Sequence, residues 1–148
     1  VPRLDDSQVM PILDFWRDAL RLTDWDFRIV WTDKDLTADF GYLARAATTP
    51  HLPSLKAEIT IDERQPWLVT IDYWAPANIE ETIIHELVHV RLAATETAID
   101  SILHIANSHI PPSLHPVLEQ QLSALREAYV ETVTSVLFRM VHPEPKET

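Results

Sequence analysis

Asn78-Ile79-Glu80-Glu81-Thr82-Ile83-Ile84-His85-Glu86-Leu87-Val88-His89-Val90-Arg91 is the stretch on which the reading of this chain turns. Asn78 is a strong helix N-cap and Glu81, three residues later, completes a capping box, so a helix is predicted from here through about Ala94. Ile83, Ile84, Leu87 and Val88 give that helix a face to bury. Inside it the chain reads H-E-x-x-H over His85 to His89. Two His four positions apart stand about 40° apart around a helix and one turn apart along it, so both imidazoles can reach a single ion. Glu86 projects about 100° from His85, where it can meet a water held by that ion without itself ligating the ion. A catalytic zinc takes neutral imidazoles and a carboxylate and leaves its fourth position to water. The expectation is therefore Zn2+ held by His85 and His89, with Glu86 as the general base of a hydrolysis. The plainer reading is two surface His on an ordinary helix.

Working outward, Val9, Ile12, Leu13, Trp16 and Leu20 recur at helical spacing and predict a helix over about 8–21, with Pro11 tolerable near its start. Trp25, Phe27, Ile29 and Trp31 alternate with Asp26, Arg28 and Val30 as in a half-buried strand. Phe40, Tyr42, Ala44 and Ala46 alternate more weakly. Ala57, Ile59 and Ile61 alternate with Glu58, Thr60 and Asp62, a third strand, and Pro50 and Pro53 mark the loop before it. Leu68 to Ile71 reads equally as a short strand or an ordered loop. Residues 101–116 hold three Pro and three His with no clear period, and a last helix is predicted over about 117–141, followed by a polar tail expected to be disordered. The order implies one α+β domain over 1–148: an N-terminal helix, a short three- or four-stranded sheet, the motif helix and a C-terminal helix.

Composition narrows the function. With 46% hydrophobic residues in 148, the chain can bury a core, and 23 acidic against 12 basic residues give a formal net charge of -11. No basic stripe is present, which disfavours nucleic acid and anionic membranes as partners. There is no Cys, so disulfides, thiolate nucleophiles and Cys-type zinc sites are excluded, and His, Asp and Glu remain as strong metal ligands. The single Gly argues against phosphate-cradling loops. Neither a signal pattern nor a membrane-length apolar run is visible, so a cytoplasmic location is the default expectation.

A catalytic zinc needs a third protein ligand. In one zincin class the motif extends to H-E-x-x-H-x-x-G-x-x-H, but those positions hold Leu92 and Thr95. In the gluzincins the third ligand is a Glu on a later helix, commonly followed four residues on by a carboxylate that orients the first His. Glu127 and Glu131 stand at that spacing on the last helix. The apolar row Leu118, Leu122, Leu125, Tyr129, Val133, Val136 and Met140 lies roughly opposite this pair, which would leave both Glu on a solvated face. Ala124, Ala128, Thr134 and Phe138 beside them suit a helix packed on two sides instead. Rival ligands are Glu131, Glu119, Asp100, His104, His109 and His115. Glu96 falls on the same helical face as His89 but about 10 Å further along the axis, too far for a shared ion. His51 and His142 read as exposed, and His104, His109, His115, Tyr73 and Tyr129 remain open as donors to an oxyanion.

Motif helix and Glu pair together resemble minimal gluzincin metallopeptidases, the minigluzincins, and the small H-E-x-x-H proteins of bacteria and phages. That likeness covers the element order over most of the chain, while its specific residues are the pentapeptide and the two Glu. It implies a zincin-like fold, peptide or protein substrates, Glu127 as third ligand and Glu131 as hydrogen-bond partner of His85. It also implies that the strand Lys56 to Asp62 is an exposed edge against which a peptide pairs. Arg126 and Glu131 depart from the Asn and Asp that gluzincins often carry there. Two other readings stand beside a peptidase: a noncatalytic metal-binding or partner-binding module, and a zinc amidase acting on a nonpeptide bond.

Overall fold

A computed structural model describes residues 4–37, 44–67 and 78–144. Among the described residues, three α-helices and a three-stranded mixed sheet make up an α+β architecture: α1 (Asp6–Ala19), β1 (Asp26–Thr32), β2 (Ala46–His51), β3 (Lys56–Asp62), α2 (Ile79–Asn107) and α3 (His115–Val141). The element order matches the sequence expectation. The weak alternation at Phe40 and Tyr42, the stretch from Leu68 to Ile71 and the last four residues of the tail lie outside the described residues.

Helix α1 begins where Asp5 and Gln8 bond reciprocally, the side chain of each accepting from the other's backbone N–H, so two orphan amides are satisfied at once. Its buried face is Val9, Leu13 and Trp16. With hardly any Gly available, Arg21 takes the left-handed conformation that ends the helix, at φ 56. The sheet order is β1-β3-β2, with β1 parallel and β2 antiparallel to β3. Lys56–Asp62 is therefore the central strand of the described sheet, which corrects the edge expectation: Ile59 and Ile61 are fully buried, and a strand covered on both sides has no free backbone edge. The described edge beside α2 is β2. Pro50, expected in a loop, lies within β2, where an edge strand tolerates the missing N–H.

Asn78 caps α2 as expected, accepting from the Glu81 N–H at 3.1 Å. The helix does not stop near Ala94 but continues to Asn107. Thr97 and Ser101 return their hydroxyls to the carbonyls four residues back, at 2.9 and 3.0 Å, so these helix-neutral residues do not interrupt it. The expected long loop shrinks to residues 108–114, and α3 starts at His115.

One cluster of buried side chains joins all layers: Val9, Leu13 and Trp16 of α1, Ile59 and Ile61 of β3, Ile79, Ile83, Ile84 and Leu87 of α2, and Val130 and Phe138 of α3. Helix α3 enters this core through the face that carries Glu127, Val130, Thr134 and Phe138. In the apolar row read from the sequence, Leu125, Tyr129, Val136 and Met140 are exposed. His142 is also half-buried rather than exposed: its Nε2 lies 2.9 Å from Glu80 Oε2, while Glu80 Oε1 accepts from Trp16 Nε1 at 2.9 Å. Glu80 thus ties the start of α2 to α1 and to the end of α3. Among the described residues, no helix is long and apolar enough to cross a membrane.

Candidate functional site

Ile83, Ile84, Leu87 and Val90 are almost fully buried, and they fix the rotation of α2 about its axis. That rotation turns His85 and His89 toward α3, with side chains 22% and 20% exposed. Their rings stand 5.0 Å apart, centroid to centroid, as i and i+4 residues on one face must. Val130, fully buried, seats α3 so that Glu127 meets both imidazoles. Glu127 Oε2 lies 3.3 Å from His85 Nε2, and Glu127 Oε1 lies 3.1 Å from His89 Nε2.

One donor atom from each of His85, His89 and Glu127 falls within 4.8 Å of the others, so the three could hold a metal ion. Donor atoms around a tetrahedral zinc, at about 2.0–2.1 Å from the ion, stand about 3.4 Å from one another. Both nitrogen-to-oxygen separations lie close to that edge length, and both rings present the same atom, Nε2. The two separations run to different oxygens of Glu127, and the three residues together supply the donor types of a divalent-metal site.

Glu86 is only 4% exposed and lies against β2, close enough to His85, His89 and Glu127 to feel their charges. Thr48, opposite Ile59 in the β2–β3 register, shares the sheet face that looks onto the core, and its hydroxyl donates to Glu86 Oε2. Burial pushes the Glu86 carboxyl above its usual range, and the Thr48 bond works against that rise. The opposite holds at Glu127, whose carboxyl is held far below the usual range by its bonds to His85 and His89. For His89, burial favours the neutral ring, but the carboxylates of Glu127 and Glu96 outweigh it and raise the imidazole to about 10.

Glu131, which the resemblance makes the partner of His85, is exposed, and no ion pair or hydrogen bond links it to His85 among the described residues. A different carboxylate meets a ligand histidine. Glu96 Oε1 lies 3.5 Å from His89 Nδ1, the ring atom turned away from Glu127. Glu96 is not among the three residues whose donor atoms converge, in keeping with its axial distance, but helical side chains lean toward the N-terminus, and this long one reaches the His89 ring. The signal was present in the sequence: Leu92, Glu96, Ile99, Leu103 and Ala106 recur at three and four residue spacing, one carboxylate in an apolar row. Thr48 carried no such signal, because its contact with Glu86 joins residues 38 apart in the chain.

The remaining candidates lie apart from this cluster. Asp100 pairs with Arg126, which precedes Glu127, and so clasps α2 to α3 just beyond the site. His104, His109, Glu119 and Tyr129 are exposed, and His115 Nε2 sits 2.9 Å from the Ile110 carbonyl, closing the turn between the helices. Tyr73 is outside the described residues. No protein family, no curated protein and no solved structure matches this chain.

Proposed function

We propose that the protein is a zinc-dependent hydrolase of peptide bonds, with His85, His89 and Glu127 as the metal ligands and Glu86 as general base. The observation that carries this reading is the convergence of two Nε2 atoms on one carboxylate, with a buried carboxyl, raised above its usual range by burial, on the residue next to His85. Zinc in such a site supplies Lewis acidity, lowering the pKa of water and polarising a carbonyl. The chain's own residues do the rest. Glu86 Oε2 is engaged by Thr48, so Oε1 is the atom that takes a proton from the attacking water and returns it to the leaving nitrogen. Its low exposure raises its basicity and keeps bulk water from taking the proton first.

Elemental analysis of the purified protein, followed by peptide turnover of wild type and Glu86→Gln, tests the proposal. About one zinc per chain in both, with turnover in wild type alone, supports it; no bound metal after reconstitution ends it. The near-complete burial of Glu86 favours a second reading, a metal-holding module without turnover. On that reading zinc is bound and Glu86→Gln changes nothing else.

A further inference from the structure

We propose that Glu96 is the positioning residue of His89, accepting its Nδ1–H and thereby presenting Nε2 to a divalent metal ion. This rests on the reading of His85, His89 and Glu127 as a metal site and assigns a role to a side chain outside that trio.

The two nitrogens of an imidazole point in widely divergent directions, and the neutral ring carries its proton on one of them. His89 has a carboxylate on each side, Glu127 Oε1 at 3.1 Å from Nε2 and Glu96 Oε1 at 3.5 Å from Nδ1. A proton held on Nδ1 by Glu96 leaves the Nε2 lone pair free and aimed into the cluster. Glu96 itself stands on the far side of the ring, so it cannot share the ion. It acts through His89, the arrangement in which a carboxylate sets the tautomer and raises the basicity of a ligand histidine.

Two further observations single out Glu96. It sits on the half-buried face of α2 with Leu92, Ile99, Leu103 and Ala106, where a carboxylate without a purpose is unfavourable. The nearby cation is also committed elsewhere: Arg126 pairs with Asp100, and the ion pair of Glu96 among the described residues is with His89. The contact lies within one unbroken helix. It depends on the extension of α2 past Ala94, for a helix ending there would not carry Glu96 at all.

The test uses the full chain, stripped of metal, and measures zinc affinity by competition with a chromogenic chelator in wild type, Glu96→Ala, Glu96→Gln and Glu131→Gln. Glu96→Ala is expected to weaken zinc binding about 10–100-fold. Glu96→Gln, nearly isosteric and still able to accept the Nδ1–H through its amide oxygen, recovers part of that loss. Glu131→Gln stays within about twofold, since its side chain touches neither histidine. A long-range proton–nitrogen spectrum of the zinc-loaded protein supplies a readout that a merely structural role would not move: His89 carries its proton on Nδ1 in wild type, and that resonance is lost to exchange in Glu96→Ala. If wild type binds zinc and both Glu96 variants bind it equally well, or if Nδ1 of His89 proves to be the metal-bound nitrogen, the inference is overturned while the metal site stands. If wild type binds no zinc, the metal reading itself fails and takes the inference with it.

Discussion

Glu86 holds a carboxylate where burial opposes its charge, and this tension gives the residue scale its clearest expectations. A neutral isostere relieves it. Glu86→Gln in the metal-free protein should raise stability by on the order of 1 kcal/mol, or about 2–4 °C in Tm, while abolishing turnover. Urea unfolding beside peptide assays checks both, and a destabilised Glu86→Gln would show that the carboxylate is better solvated than its 4% exposure implies. Thr48→Val keeps the shape of the side chain but withdraws the hydroxyl from Glu86, leaving a buried acceptor short of its donor. A loss of about 1–3 kcal/mol is expected, seen as a lower urea midpoint. Thr134 is the reverse case: it is 3% exposed and its Oγ1 has no hydrogen-bond partner among the described residues. Thr134→Val should be neutral or stabilising by about 1 kcal/mol, because it removes a desolvated hydroxyl without a bond to lose.

At the scale of elements, α2 is two helices in one. Residues 79–93 are anchored by side chains in the core, whereas beyond Ala93 no side chain of the helix is buried. Hydrogen exchange should divide it accordingly, with slow amides through about Val90 and much faster ones across 95–107, and uniform protection along the helix would contradict this division. Here too the apolar row of α3 misled. Leu125, Tyr129, Val136 and Met140 outweigh Glu127 and Thr134 in hydropathy, yet the helix docks by the face of Val130, Thr134 and Phe138. Hydropathy ranks the faces of an isolated helix, but docking also weighs the carboxylate's contacts with two histidines, which lie on another element.

For the molecule as a whole, the metal-free cluster links stability to pH. His89 is raised from 6.5 to about 10, so its contribution is fully present below 6.5 and is lost as pH climbs toward 10. Glu127 is lowered from 4.5, so its contribution is present above 4.5 and is lost as pH falls below it. Both describe one set of contacts, strongest between those two values. The urea midpoint of the metal-free protein should fall from pH 6.5 to 10, and Glu127→Gln should flatten the slope. In the proposed site zinc displaces the proton on His89, so binding at pH 7–8 should release about one proton. Calorimetry in buffers of different ionisation enthalpy reads this directly, and zinc uptake without proton release would count against His89 as a ligand.

Local patterns were enough for the capped helix around His85, Glu86 and His89, the alternation that makes Lys56–Asp62 a strand, and the α+β order, because caps and periodicities are settled by neighbours within a few residues. Tertiary structure alone decided the rest. That Lys56–Asp62 is central depends on two earlier strands pairing with its two edges, one parallel and one antiparallel. Glu127 rather than Glu131 meets the histidines because α3 is rotated by Val130 and Phe138 in a shared core. Thr48 reaches Glu86 only once β2 has paired with β3. Even Glu96, seven positions from His89 on the same helix, depends on how far α2 runs, and that length is set by the docking of α3 against it as well as by its own residues.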